Sequence, residues 1–279
     1  MIVSELINLG SKTLKKENIS SHLLDSELIL SKVLNEKREN LLISDNKKVT
    51  IDSIKIFNDL IKRRVKKEPL AYIFNKKEFW SKSFLVDRGI LIPRPETELL
   101  VEKLASLFKD KKSFILDIGT GSGCILLTLL SEIKKSRGIG VDASKKAINM
   151  ALKNAKKFNL ESRVKFHKRQ LNEIFGQKFD LIVSNPPYVC TNQIKNLSDD
   201  VRKYEPRMAL DGGNDGLDVI KKVIYKSKSI LKKKGTLALE IGHGQYKEVS
   251  QILRLQGFKD RFLIKDYREN IRCIITTLN

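Results

Sequence analysis

The sequence predicts an α/β protein: a doubly wound, mostly parallel sheet of seven strands ending in an antiparallel C-terminal hairpin, plus a small N-terminal helical bundle joined to it by a β-hairpin. Three observations carry this. From Ser113 onward, short apolar runs alternate with stretches of helical periodicity, the pattern of a parallel sheet with crossover helices. Residues 1 to 74 show helical periodicity, no strand alternation and little glycine. The last two apolar runs, Phe258 to Lys265 and Ile271 to Thr276, lie too close for a crossover and so pair antiparallel. The expected divisions are 1–74 for the bundle, 75–92 for the hairpin linker and 93–279 for the doubly wound domain.

In the bundle, Glu5 to Leu9 opens one helix and Ser21 to Leu34 forms a second. A third runs from Thr50 to about Lys67, with Ile54, Phe57, Ile61 and Val65 along one face. Pro69 stops it. From Ala71 to Val86 aromatic and β-branched residues take over (Tyr72-Ile73-Phe74, Phe79-Trp80, Phe84-Leu85-Val86), and we read this stretch as the hairpin. Pro93 and Pro95 then hold the chain extended, and Glu96 and Glu98 occupy the first turn of the next helix, where its dipole favours anions. Arg94, between the prolines, either supports a site or pairs with a carboxylate.

The expected strands of the second domain are Ser113 to Ile118, Gly138 to Asp142, Val164 to Phe166, Phe179 to Ser184 and Gly235 to Ile241, followed by the C-terminal pair. Helices from Cys124, from about Ser144 to Phe158, from about Leu217 to Leu231 and through Val249 and Leu253 separate them.

Composition narrows the setting. The chain has 279 residues, 41% of them hydrophobic, enough for a well-buried core. Its apolar runs fall short of the roughly 20 residues of a membrane helix. The opening residues Met1 to Glu5 lack the basic segment of a signal peptide, so we expect a soluble cytoplasmic protein with no membrane partner. Cys124, Cys190 and Cys273, like His22, His167 and His243, are scattered without metal-ligand spacing, so no metal site is expected. The net charge of +21 attracts polyanions, but the lysines are dispersed over nearly every helix face, as at Lys145-Lys146, Lys156-Lys157 and Lys221-Lys222. Nucleic acid is not required by this pattern; a ribosomal or RNA contact stays open.

Two stretches carry chemistry. Asn185-Pro186-Pro187-Tyr188 ends a strand, at the sheet edge where ligands of open α/β folds bind. The prolines stiffen the segment and donate nothing, so carbonyls and the Asn185 amide are left to grip a planar NH2-bearing group, with the Tyr188 ring against its face. Such a group is an amide or an exocyclic base amine. The second stretch is Gly119-Thr120-Gly121-Ser122-Gly123, between a strand and a helix, with Asp142 at the end of the next strand placed to accept from ribose hydroxyls. Cys124 stands where a dinucleotide fingerprint wants glycine, and no Gly-Lys-Ser/Thr follows, which excludes a P-loop. Asp117 ahead of the loop would repel a pyrophosphate and suits a cationic ligand, such as the ammonium or sulfonium of S-adenosylmethionine.

Asp117 to Gly123 together with Asn185 to Tyr188 resembles the S-adenosylmethionine-dependent amino-methyltransferases. Glu68 to Ile73, Glu78-Phe79-Trp80, Leu91 to Glu98, Glu205-Pro206, Ala209-Leu210 and Gly216-Leu217 narrow the resemblance to the peptide-chain release factor N5-glutamine methyltransferases, over nearly the whole chain. The resemblance implies a methyltransferase domain at 93–279, substrate recognition by the bundle, and methylation of the glutamine in the Gly-Gly-Gln tripeptide of class 1 release factors. It implies cofactor contacts at Gly119, Thr120, Gly121, Ser122, Gly123, Asp142, Gln170 and Asn185. Asn185 and the Pro186 carbonyl would accept from the substrate amide, with Pro187 and Tyr188 beside it. Two departures are Asn75, where the family usually has glycine, and Arg169-Gln170, where an acidic and a large apolar residue are common. The rivals are an adenine-N6 nucleic-acid methyltransferase and a non-enzymatic RNA-binding factor.

Overall fold

Helix α1 (Val3–Lys16) opens the chain, followed by α2 (His22–Leu34), α3 (Arg38–Ile43), α4 (Ile51–Val65) and α5 (Leu70–Phe74). The structure is a computed structural model that describes every residue except Phe175. It divides into two compact units: Met1–Asn75 with Ser198–Tyr204, and Lys76–Leu197 with Glu205–Asn279.

The first unit is helical. Val3, Leu6 and Leu14 of α1 meet Ile29 and Leu30 of α2 and Phe57 and Ile61 of α4 in one buried cluster. Gly10 lets these helices approach: a Cβ there would stand 2.5 Å from Ser26 Oγ and 2.6 Å from Phe57 Cζ. The short helix α9 (Asp199–Tyr204) belongs to this unit, and its Tyr204 hydroxyl donates to the Lys66 carbonyl at 2.7 Å.

Tyr72-Ile73-Phe74, expected as part of the hairpin, is helical instead and forms α5. Pro69 starts the turn by accepting from the Tyr72 and Ile73 amides, and burial of Tyr72 and Ile73 outweighs their β propensity. Asn75 ends α5 in the left-handed region at φ 55°. That explains the departure at this position, since asparagine is the commonest substitute for glycine at such a cap.

In the second unit, β1 (Lys76–Phe79) and β2 (Lys82–Leu85) form an antiparallel hairpin. Then come α6 (Glu96–Phe108), β3 (Phe114–Ile118), α7 (Cys124–Glu132), β4 (Arg137–Asp142), α8 (Lys145–Lys157), β5 (Val164–Lys168) and β6 (Phe179–Ser184). The chain closes with α10 (Asp218–Ile230), β7 (Leu231–Glu240), α11 (Tyr246–Leu255), β8 (Phe258–Lys265) and β9 (Ile271–Leu278).

The sheet runs β5-β4-β3-β6-β7-β9-β8. Its first five strands are parallel, and β9 is antiparallel to both neighbours, as the sequence predicts for the C-terminal pair. Strand β7 begins at Leu231, four residues before the expected Gly235, because its register breaks opposite Phe179 to Leu181 and Lys232 to Lys234 fill the irregularity. Alternate residues feed opposite layers: Ile115, Leu181 and Val183 pack with α6, α7 and α8, whereas Leu116, Ile182, Leu237 and Leu239 pack with α10 and α11. After β3 the chain winds outward to β5, then returns to the other side of β3 with β6. The crevice at the C-terminal ends of β3 and β6 is therefore the topological switch point, where ligands of such sheets bind. Among the described residues no helix is long and apolar enough to cross a membrane.

Candidate active site

The glycine loop leaves β3 beside the end of β4. Gly119 and Thr120 donate their backbone amides to the Val141 carbonyl at 2.9 and 3.0 Å, and Gly121 donates to Asp142 Oδ2 at 3.0 Å. Asp142 Oδ1 accepts from the Ser144 amide at 2.8 Å, where α8 begins. One carboxylate thus ties the loop to the next helix. Burial raises its pKa, and the Ser144 and Gly121 amides hold it back. Gly119 and Gly121 have φ of +75° and +55°, and among the described residues no atom beyond their chain neighbours lies within 4 Å of where their Cβ atoms would stand. The loop is open on that side.

Asp117 is fully buried beneath the loop. Its Oδ2 accepts from Thr120 Oγ1 at 2.7 Å, while Oδ1 has no hydrogen-bond partner among the described residues. Loss of solvation pushes its carboxyl up to about 7, against the Thr120 hydrogen bond, and the Asp142 charge adds to the rise. Cys124, at the start of α7, is pushed up to about 12, first by burial and then by Asp117, so its thiol stays protonated.

Across the crevice, the segment after β6 is held from behind. Val189 donates to the Leu210 carbonyl at 3.0 Å, Gly212 returns a bond to the Val189 carbonyl at 2.8 Å, and Gln245 Nε2 donates to the Tyr188 carbonyl at 3.0 Å. Asn185 Nδ2 donates to Thr97 Oγ1 at 3.3 Å.

These two edges enclose one cavity. Gly119, Thr120, Gly121, Ser122, Asp142, Gln170, Asn185 and Pro187 all line it. Four other residues singled out from the sequence do not, Asp117 beneath the loop being the first. Gly123 sits under the loop as the N-cap of α7, at φ 81°. Pro186 is buried. Tyr188 turns its ring toward the layer of α10 and α11, and its hydroxyl donates to Glu240 Oε1 at 3.2 Å while accepting from Arg272 at 3.2 Å. The expected stacking of Tyr188 against a ligand gives way to this anchorage, because a buried hydroxyl needs partners and Glu240 and Arg272 supply them.

Sequence reasoning missed Thr97 and Met208, which line the cavity, and the carboxylate behind them. Arg94 plays both roles open to it: it lines the cavity and donates to Glu205 Oε1 at 2.6 Å. Glu205 also accepts from the Ile92 amide at 3.1 Å, which fixes the neighbouring Pro206, Met208 and Ala209 against the cavity.

The family model described as methyltransferase small domain matches residues 94–201, and that described as PrmC N-terminal domain matches residues 5–74. The chain is 40% identical over 278 residues to the release factor glutamine methyltransferase of Clostridium botulinum, covering 98% of each. It is 37% identical over 279 residues to the enzyme of the same name from Clostridium acetobutylicum, covering 99% of this chain and 98% of that one. Among solved structures, a methyltransferase from Pyrococcus furiosus superposes with a TM-score of 0.56 at 15% identity, over 77% of this chain and 98% of that chain. That likeness speaks for the fold alone.

Proposed function

The chain belongs to the release factor glutamine methyltransferase family, and from that premise we propose that it methylates N5 of the glutamine in the Gly-Gly-Gln tripeptide of class 1 peptide-chain release factors, with S-adenosylmethionine as donor. It is a protein-(glutamine-N5) methyltransferase. The observation that carries the residue assignments is the convergence of the glycine loop and Asn185 on one cavity at the switch point.

The residues present fit S-adenosylmethionine. Asp117 lies buried directly beneath the loop that lines the cavity, with its Oδ1 unpartnered among the described residues, and an ammonium bound over the loop supplies the countercharge. The open faces of Gly119 and Gly121 admit a ligand at van der Waals contact with the backbone, where any side chain would intrude. Asp142 keeps lone pairs for ribose hydroxyls, and Gln170 lies at the cavity wall beyond it. Bound there, the cofactor supplies a methyl carried on a sulfonium.

An amide nitrogen is a poor nucleophile because its lone pair is delocalised into the carbonyl. Asn185, which lies on the cavity wall, accepts from the substrate NH2 through Oδ1, holds its nitrogen in line with the methyl and favours the positive charge that develops on it, while the buried Pro186 stiffens the segment that carries it. Alignment of this kind lowers a barrier by about 7–11 kcal/mol at best. No general base is needed, since the nitrogen's proton becomes acidic once the methyl is attached. Tyr188 acts from behind by fixing the loop.

The test is methyl transfer from labelled S-adenosylmethionine to purified release factor, to its Gln-to-Ala tripeptide variant and to duplex DNA, followed by peptide mass spectrometry. Label on the wild-type factor alone is expected. Label on DNA with the factor untouched overturns the proposal. Asn185→Ala should lose turnover and keep cofactor affinity; comparable turnover in that variant removes Asn185 from the chemistry.

A further inference from the structure

Behind Asn185, a line of hydrogen bonds runs from the cavity into the core. Asn185 Nδ2 donates to Thr97 Oγ1 at 3.3 Å, and Thr97 Oγ1 donates to Glu240 Oε2 at 2.6 Å. From the far side the Tyr188 hydroxyl donates to Glu240 Oε1 at 3.2 Å, and Arg272 donates to the Tyr188 oxygen at 3.2 Å. Thr97 is 2% exposed and Glu240 is not exposed at all.

The chemistry of the two ends fixes the direction of every proton between them. Arg272 only donates; burial raises the Glu240 carboxyl, but the Thr97 and Tyr188 hydroxyls and the Arg272 charge all favour its ionised form, which only accepts. Tyr188 therefore spends its single proton on Glu240 and takes one from Arg272. Thr97 likewise spends its single proton on Glu240, leaving only lone pairs for Asn185. Asn185 must then turn its NH2 edge to Thr97, which leaves Oδ1 for the substrate. The opposite orientation would set NH2 against the NH2 of a glutamine amide, which cannot bond. A need for stability explains this arrangement poorly, since a buried carboxylate is generally matched or bettered by an apolar residue of similar volume.

We infer that Thr97 and Glu240 are positioning residues for methyl transfer: through the Thr97 hydroxyl, the buried Glu240 carboxylate holds the Asn185 amide with its oxygen toward the substrate nitrogen. The inference rests on the role proposed above for Asn185. Neither residue touches the reacting atoms, so their effect falls on the rate of the bound complex more than on its formation.

The experiment measures kcat, KM for release factor and cofactor affinity in the full chain for Thr97→Val, Thr97→Ser, Glu240→Gln and Asn185→Ala, with thermal melts alongside. Thr97→Val, which keeps the shape and removes the hydroxyl, should lower kcat by about tenfold or more, with KM and cofactor affinity within about threefold of wild type. Thr97→Ser should recover kcat to within about threefold. A valine variant with wild-type kcat, or a serine variant as slow as the valine one, overturns the inference.

Should the valine variant fail to fold, Glu240→Gln decides. Its amide can donate to Thr97, freeing the threonine proton to hold Asn185 the wrong way round. A folded Glu240→Gln enzyme with wild-type kcat overturns the inference, and one with reduced kcat and unchanged cofactor affinity supports it. Asn185→Ala separates the two levels. If it keeps turnover, the role of Asn185 itself is wrong; if it is inactive while the Thr97 and Glu240 variants are normal, only the positioning relay falls.

Discussion

Replacing Asp117 by asparagine should stabilise the ligand-free protein at pH 8 and weaken its hold on the cofactor. Burial lifts the Asp117 carboxyl from 3.8 to about 7 in the folded protein. Between those values the unfolded chain has lost the proton while the fold keeps it, so stability falls as pH rises through the window and levels off above about 7. The full displacement costs the folded state about 4 kcal/mol on the alkaline plateau, and well under half of that at pH 5. An amide does not ionise and escapes this cost at every pH. Its oxygen can still accept from Thr120, but its NH2 takes the place of the unpartnered Oδ1 at a pH-independent penalty of about 1–3 kcal/mol.

The clean observable is the difference between two pH values, in which that penalty cancels. Asp117→Asn should gain about 2–3 kcal/mol more at pH 8 than at pH 5, or roughly 5–10 °C in melting temperature for a unit of this size. Melts of wild type and variant without cofactor measure it directly. Equal shifts at the two pH values would refute the argument that the fold carries an uncompensated carboxylate. Calorimetric titration with S-adenosylmethionine completes the test: affinity in the variant should drop, and unchanged affinity denies Asp117 a role with the ammonium.

Three further substitutions have defined outcomes. Gly119→Ala places a methyl in the open face of the loop at φ +75°; stability should fall by about 1–2 kcal/mol, and cofactor affinity in the same titration should fall by about tenfold or more. Gly123→Ala brings a Cβ to 3.0 Å from Leu127 Cδ1 and 3.3 Å from Ala151 Cβ at φ +81°, and chemical denaturation should report a loss of about 1–3 kcal/mol. Asn75→Gly substitutes the better left-handed residue at the end of α5; melting should be unchanged or raised, by up to about 1 kcal/mol, and a clear loss would mean that the asparagine side chain is needed.

The sheet was legible because its central strands, β3 and β6, are short apolar runs buried on both faces, with crossover helices between the parallel strands. The glycine loop, Asp142 and Asn185 could be singled out because each lies at a strand's C-terminal end within a few residues of a turn signal, and the fold brings them to one cavity. Tyr72-Ile73-Phe74 misled because aromatic and β-branched residues suit a strand until a proline cap and burial on a helix face decide otherwise. Tyr188 misled because an aromatic beside a ligand loop resembles a stacking platform, and only the fold reveals that its hydroxyl is claimed from the other side. Thr97, Glu240 and Arg272 lie more than 140 residues apart at the extremes, so no local pattern joins them. A signal did exist. Glu240 is an acid closing an apolar run, as Asp142 is, and Asp117 stands one residue before the end of its strand in the same sheet.

The strand order also has a consequence for how the sheet is completed. Strand β9 lies between β7 and β8, although β8 precedes it in the sequence. Among the described residues β8 has no partner in the sheet except β9, so without β9 beside it β7 is an open edge. Its exposed bonding groups invite the wrong partner. Covering that edge therefore requires the non-local pairing of β7 with β9, whereas β8 joins β9 across a short turn, so the hairpin closes the sheet by docking as a unit.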